Sequence, residues 1–182
     1  MTTKVIGASL PRTDALGKVT GTTRYPADLV QPGMLHLQVV FAHRPHARIP
    51  SIDTSAALQS PGVVAVLTAR DVPYNAYGLI DADQPVLCGD VLRFEGDKVA
   101  LVAAESKEAA VAGAELVQVE YEDMPAVTDP RAAMAPGAPL VHEHHGSNVL
   151  LHMPIRKGDA TRALAQADVV LSGEFSTSWQ EH

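Results

Sequence analysis

The chain has 182 residues, with 14 Lys or Arg against 21 Asp or Glu, which gives a formal charge of −7. A chain of this length forms one large domain or two small ones and buries roughly 70% of its unfolded surface. The acidic balance argues against binding to nucleic acid or to an anionic membrane, because phosphates attract Lys and Arg clusters. The single cysteine, Cys88, excludes an internal disulfide and cannot alone hold an iron–sulfur cluster.

The sequence also carries information about cellular location. Residues 1–14 contain neither the apolar core of a signal peptide nor a twin-Arg pair. The longest strongly apolar stretch, residues 99–104, is far shorter than the ~20 residues that span a bilayer. These features predict a cytoplasmic protein without a membrane span.

Gly and Pro residues divide the chain into an N-terminal part and a patterned part. They predict an extended segment over residues 1–33 and a mixed α+β domain over residues 34–182. Residues 34–41 alternate between apolar and polar side chains, which predicts a half-buried strand. Its buried face would carry Leu35, Leu37, Val39 and Phe41.

The rest of the pattern mixes strands with short helices. A break at 45–50 is followed by a helix over 53–58 capped by Asp53, a central strand over 63–68 and a loop over 72–90. Then come a buried strand over 98–104, a helix over 106–116 capped by Ser106 and a half-exposed strand over 117–122. The last predicted elements are short helices over 130–134 and 160–167 and a long strand over 169–179.

Three imidazoles and one carboxylate follow one another at His142, Glu143, His144 and His145. Such side chains can bind Zn²⁺, but the spacing matches no known metal motif. In a loop the rings need not converge, so we interpret the run as a solvated loop and predict no metal site. A zinc centre of a small hydrolase is the alternative.

Other candidate motifs also favour structural roles. The basic run from His43 to Arg48 could contact an anion through Arg44 and Arg48, but a polar turn whose arginines pair with carboxylates is favoured. Cys88 lies near Asp90 without a cation that would lower its pKa, which argues against a nucleophile. The run from Gly17 to Gly21 lacks the glycine spacing of a phosphate-binding loop.

Several segments in the same order resemble the molybdenum-binding large subunit of the xanthine dehydrogenase/aldehyde oxidase family. Any one segment is weak evidence, whereas their shared order over nearly the whole chain is specific. The matching segments are LPRTDA (10–15), KVTG (18–21), HRPHARIPSID (43–53), PGVVAVLTARDVP (61–73), DQPVLCGDVLRFEGDKVALVAAES (83–106), VEYEDMPAVTDP (119–130), APLVHE (138–143) and GDATRALAQADVVLSGEFSTSWQEH (158–182).

The resemblance implies an α/β-hammerhead domain and one residue at the cofactor. In this family a Gln-Glu-His motif follows the last hammerhead strand, and its glutamine donates a hydrogen bond to an oxo ligand of molybdenum. Gln180, Glu181 and His182 match that motif. A neutral amide can orient a metal-bound oxo group without adding charge. The family's glycine-rich pterin contacts and its catalytic glutamate have no counterpart here, so no complete catalytic site is expected.

The resemblance therefore implies one part of a molybdenum hydroxylase that oxidises an aldehyde or an N-heterocycle with oxygen from water. The chain is expected to be a fragment or a split subunit, inactive without the remainder of the large subunit. The molybdenum–molybdopterin cofactor would be shared with that remainder, and [2Fe-2S] clusters and FAD would lie on partner subunits. The alternative is a non-catalytic interaction or assembly module of the same fold.

Overall fold

The computed structural model describes residues 6–178 and Gln180. Within this part of the chain, five short α-helices are interspersed with six β-strands. The helices are α1 (Ala15–Val19), α2 (Ser55–Leu58), α3 (Lys107–Glu115), α4 (Pro130–Ala133) and α5 (Ala160–Ala165). The strands are β1 (His36–Phe41), β2 (Ala47–Asp53), β3 (Val63–Leu67), β4 (Val91–Leu92), β5 (Lys98–Ala104) and β6 (Gln118–Asp123). None of the described helices has the length and apolar character needed to cross a membrane.

Two antiparallel three-stranded sheets organise the molecule. The first has the strand order β1-β5-β3, and the second has the order β4-β2-β6. Strand β5 is buried at five of its seven positions, and its apolar sequence suits a strand that is hydrogen-bonded on both sides. Both sheets therefore join strands that lie far apart in the sequence.

Helix α3 covers the first sheet and begins where the sequence predicts. Ser106 is the N-cap, and its hydroxyl accepts a hydrogen bond from the backbone N–H of Ala109 at 3.1 Å. Ala110 and Gly113 are buried against the sheet. Small residues on this face allow the helix backbone to approach the strands closely.

The second sheet contributes to a separate cluster of buried side chains. It contains Ala42, Ala47, Ile49, Cys88, Leu92 and Val99. Asp97, which is also buried, accepts hydrogen bonds from the backbone N–H groups of Arg93 and Phe94 at 2.7 and 3.2 Å. These two hydrogen bonds hold the tight turn between β4 and β5. They also compensate the buried negative charge of the carboxylate.

Strand β2 replaces the predicted break at 45–50. Pro50 lies inside it, at the point where the pairing with β6 shifts register between Arg48 and Ser51. A proline cannot donate a ladder hydrogen bond, but a bulge needs no such donor. Thr54 occupies the N-cap position of the following helix without a side-chain capping bond, and the predicted cap, Asp53, accepts a hydrogen bond from the N–H of Ser55.

Two predictions about burial are wrong. Strand β3 lies at an edge of its sheet and not at the centre, and Val64 is exposed. In β1, Leu37 and Phe41 are exposed, while Val39 is half-buried. Alternation correctly marks the two faces of a strand, but it does not show whether another layer covers the apolar face.

Both ends of the chain also differ from the predictions. The segment predicted as extended over residues 1–33 contains α1 and a 3-10 turn at Pro26–Asp28. Residues 169–178 form no strand, and Val169, Leu171 and Phe175 are exposed. A strand needs a neighbouring strand to pair with through backbone hydrogen bonds, and residues 169–178 pair with no strand of the described structure. Trp179, the predicted end of that strand, lies outside the described residues.

Candidate functional site

Gln180 lies in the irregular C-terminal segment and is exposed. Its amide provides the donor chemistry expected for a metal-bound oxo group. Residues 169–178 before it are all exposed and have no regular structure, so they form no cradle around the amide. The described residues therefore do not by themselves fit a complete molybdopterin site. Glu181 and His182, the rest of the predicted motif, lie outside the described residues.

The three histidines between His142 and His145 converge on one another. Glu143–His145 forms a 3-10 turn that ends at Gly146, whose φ of 71° lies in the left-handed region that favours glycine. One ring nitrogen from each histidine lies within 4.8 Å of the other two. The ring centroids of His144 and His145 are 4.1 Å apart. A loop need not bring such rings together, but this turn does; the prediction that no metal binds here stays a prediction.

Side-chain hydrogen bonds on both sides of the histidines fix the turn. The Asn148 amide oxygen accepts from the N–H of Val141 at 2.9 Å, and its nitrogen donates to the carbonyl of Pro139 at 2.8 Å. The same nitrogen donates to the carbonyl of Ala133 at 3.0 Å. Arg93, directly after β4, donates from Nε to the carbonyl of Val141 at 3.0 Å. These bonds attach the turn to α4 and to the second sheet.

His142 is the least exposed of the three histidines. Its Nε2 lies 3.7 Å from Oδ2 of Asp83, and both side chains are about one-fifth exposed. Partial burial and the nearby positive charge of Arg93 lower the pKa of His142, and the opposing effect of Asp83 is smaller. The lowered pKa favours the neutral imidazole, which is the form that binds a metal.

A cavity of about 620 Å³ borders the histidine turn. The polar part of its lining includes Asp83, His142 and His145. The apolar part of its lining includes Val127, Pro130, Met134, Val141 and Leu150. Sequence reasoning missed Asp83 and Arg93 because they lie about 60 and 50 residues before His142, and it missed Asn148 because a single asparagine in a loop shows no pattern.

The contacts of the basic run from His43 to Arg48 agree only in part with the predicted polar turn and its arginine–carboxylate pairs. Arg44 lies 3.5 Å from the carboxylate of Asp123 and above the ring of Tyr121. His46 is buried, and its Nδ1 donates to the carbonyl of Pro125 at 2.7 Å. Arg48 belongs to β2 and makes no ion pair with the described residues. These contacts join the segment before β2 to β6 and to Pro125, just after β6.

Cys88 is buried beside Asp97. Loss of hydration and the negative charge of Asp97 raise the pKa of its thiol to about 12. The thiolate, which is the nucleophilic form, is therefore strongly disfavoured at neutral pH. This environment supports the interpretation of Cys88 as a structural residue.

We expect Cys88 to react with the thiol reagent 5,5′-dithiobis(2-nitrobenzoic acid) more than about 100-fold more slowly in the folded chain than in guanidinium. The reason is the raised thiol pKa together with burial. The absorbance of released thionitrobenzoate at pH 8 measures the rate, and Cys88→Ser supplies the blank. Equal rates in native buffer and in denaturant would show that this thiol is accessible.

Comparisons with known proteins agree with the fold. A family model described as "Aldehyde oxidase and xanthine dehydrogenase, a/b hammerhead domain" matches residues 20–125, a range that contains all six strands. A probable xanthine dehydrogenase subunit of Bacillus subtilis is 41% identical over 172 residues, which cover 94% of this chain. The nicotinate dehydrogenase large molybdopterin subunit of Eubacterium barkeri is 33% identical over 180 residues, or 98% of the chain.

A solved structure shows the same likeness in three dimensions. The aldehyde oxidoreductase from Desulfovibrio gigas superimposes with a TM-score of 0.78 at 41% identity over 87% of this chain. The match covers only 19% of the aldehyde oxidoreductase chain. This chain likewise covers 23% of the Bacillus subtilis relative and 42% of the Eubacterium barkeri relative. The chain thus corresponds to a part of these proteins. It belongs to the aldehyde oxidase and xanthine dehydrogenase family, and residues 20–125 match the α/β-hammerhead domain of that family.

Proposed function

We propose that this chain acts as the hammerhead part of the large subunit of a molybdenum hydroxylase. The observation that carries the proposal is the combination of 41% identity and a TM-score of 0.78 over 87% of the chain. The names of the matched proteins include an aldehyde oxidoreductase and a nicotinate dehydrogenase. We therefore infer an aldehyde or an N-heterocycle as substrate, hydroxylated with oxygen from water.

Turnover requires further protein, since the described residues of this chain form no complete catalytic site. The molybdenum–molybdopterin cofactor would be bound mainly by the remainder of the large subunit. The single Cys88 cannot alone ligate an iron–sulfur cluster, so [2Fe-2S] clusters would lie on partner subunits. The family resemblance implies that FAD would lie on a partner subunit as well. The chain alone is expected to be inactive. The cytoplasmic location predicted from the sequence stays a prediction.

Gln180 is the residue of this chain that we propose to contact the cofactor. Because Gln180 is exposed, its amide is accessible to the proposed remainder of the large subunit and to the cofactor bound there. A primary amide donates hydrogen bonds while remaining uncharged, so it can orient an oxo ligand without altering the charge of the site. The motif resemblance supports this role.

The test is purification of the tagged chain from its source cells together with the proteins that bind it. We expect a pterin-binding subunit with iron–sulfur and flavin subunits, stoichiometric molybdenum by mass spectrometry, and dye-linked oxidation of aldehydes or N-heterocycles. Gln180→Ala should lower turnover by about 10–100-fold, because a partner that orients a metal ligand is lost. The exposed Gln31→Ala is the matched control and should leave turnover unchanged.

The possible outcomes separate the hypotheses. Stoichiometric molybdenum and full activity in the isolated chain would contradict the proposed dependence on the rest of the subunit. A stable complex without turnover on either substrate class would favour the assembly-module alternative. Equal turnover in Gln180→Ala and Gln31→Ala would remove Gln180 from the cofactor site while leaving the rest of the proposal intact.

A further inference from the structure

The convergent histidine turn is not used by the proposed hydroxylase function. We propose that His142, His144 and His145 bind one divalent transition-metal ion, with Zn²⁺ as the ion that best suits the three nitrogen donors. Imidazole is a preferred ligand for zinc, and three histidines are a sufficient protein contribution when water occupies the fourth position. The inference concerns binding and assigns no turnover to the metal.

The distances between the rings are close to those that a metal requires. One nitrogen of each ring lies within 4.8 Å of the other two. Two nitrogens bound to the same tetrahedral zinc, each at about 2.1 Å, are about 3.4 Å apart. The movement needed is little more than about 1 Å. His144 and His145 are exposed, so their side chains can make this movement by small rotations.

The backbone of the turn is already arranged for this geometry. Gly146 ends the turn with a positive φ, and Asn148 makes three hydrogen bonds to backbone groups of the flanking segments. Arg93 holds the carbonyl of Val141, just before His142. A turn fixed by such contacts loses little conformational entropy when the metal binds.

Asp83 places a carboxylate beside one of the three histidines, an arrangement that is common in histidine metal sites. Its Oδ2 lies 3.7 Å from Nε2 of His142, and it does not belong to the group of three converging ligands. A small rotation would let Nε2–H donate to this carboxylate while Nδ1 faces the metal. Carboxylates in this position orient the imidazole and increase its basicity as a ligand. We therefore assign Asp83 as a positioning residue.

Zinc binding by the purified full chain, with any polyhistidine tag removed, tests the proposal. Equilibrium dialysis against Zn²⁺ at micromolar free concentration, followed by metal analysis, should give one zinc per chain. His144→Ala/His145→Ala should weaken binding by more than about 100-fold, because two of three ligands are lost. Asp83→Asn should keep the stoichiometry and weaken binding by about 10–100-fold.

The control uses two histidines outside the turn. His43→Asn/His152→Ala removes the same number of exposed imidazoles, and asparagine suits the positive φ of residue 43. This variant should bind zinc like the parent chain. Circular dichroism of each variant checks that the fold is kept. Co²⁺ provides a second readout, since a tetrahedral site gives intense visible absorption bands.

Two results would overturn the proposal. One is the absence of zinc binding by the parent chain at micromolar free metal. The other is equal zinc affinity in His144→Ala/His145→Ala and in His43→Asn/His152→Ala, which would indicate adventitious surface binding. Unchanged affinity in Asp83→Asn would overturn the role assigned to Asp83.

Discussion

Replacing Gly113 by valine is expected to destabilise the chain severely. A Cβ atom at this position would lie 2.7 Å from Cγ2 of Val63 and 3.1 Å from Cγ1 of Val102. Both neighbours belong to the sheet beneath α3, so the helix would have to lift from the strands. Overpacking costs about 1–3 kcal/mol or more, whereas removal of a mid-helix glycine gains at most about 1 kcal/mol. Urea unfolding followed by circular dichroism measures the difference.

Ala112→Val is the matched control for Gly113→Val. It introduces the same side chain one position earlier in the same helix, where the residue is exposed. The free energy of unfolding should change by about 0.5 kcal/mol or less. Similar unfolding midpoints for the two variants would mean that α3 does not rest on the first sheet at Gly113.

Leu92→Ala is expected to have a comparably large effect on the other sheet. Leu92 in β4 is fully buried and belongs to the cluster that also contains Cys88 and Val99. Truncating a buried leucine loses its transfer free energy and leaves a cavity, which together cost about 2–5 kcal/mol. The loss should appear as a lower denaturant midpoint with an unchanged m-value.

The fully exposed Leu79 is the control for this truncation. Leu79→Ala removes the same atoms from a side chain without packing neighbours, so the free energy of unfolding should stay within about 0.5 kcal/mol. A small effect of Leu92→Ala, equal to that of Leu79→Ala, would contradict the packing described for β4.

Local signals were sufficient to predict several elements. Strand β5 and helix α3 follow directly from an apolar run and from the cap at Ser106. Strand β2 could not be predicted in the same way, because Pro50 breaks its pattern and the bulge that accommodates it depends on the partner strand. Whether β3 is central or at an edge also depends on pairing, which a single segment does not encode.

The candidate sites, like the strand pairing, depend on contacts between distant segments that the local sequence does not show. The histidines at 142, 144 and 145 are visible in the sequence, but their convergence depends on Gly146 and on hydrogen bonds from Asn148. Asp83 reaches His142 only through tertiary folding. The family resemblance, in contrast, is confirmed by the comparisons, because it rests on the order of many segments. The role of Gln180 stays a prediction.

The pairing of strands has a consequence for synthesis of the chain in the cell. Among the described residues, β1 and β3 pair only with β5, and β2 pairs only with β4 and β6. The first three strands therefore leave the ribosome before any of their hydrogen-bonding partners has been made. Such non-local pairing slows folding, and unpaired strand edges favour aggregation. The nascent chain thus carries three open strands until residues 91–123 emerge, and we expect chaperones to act during this interval.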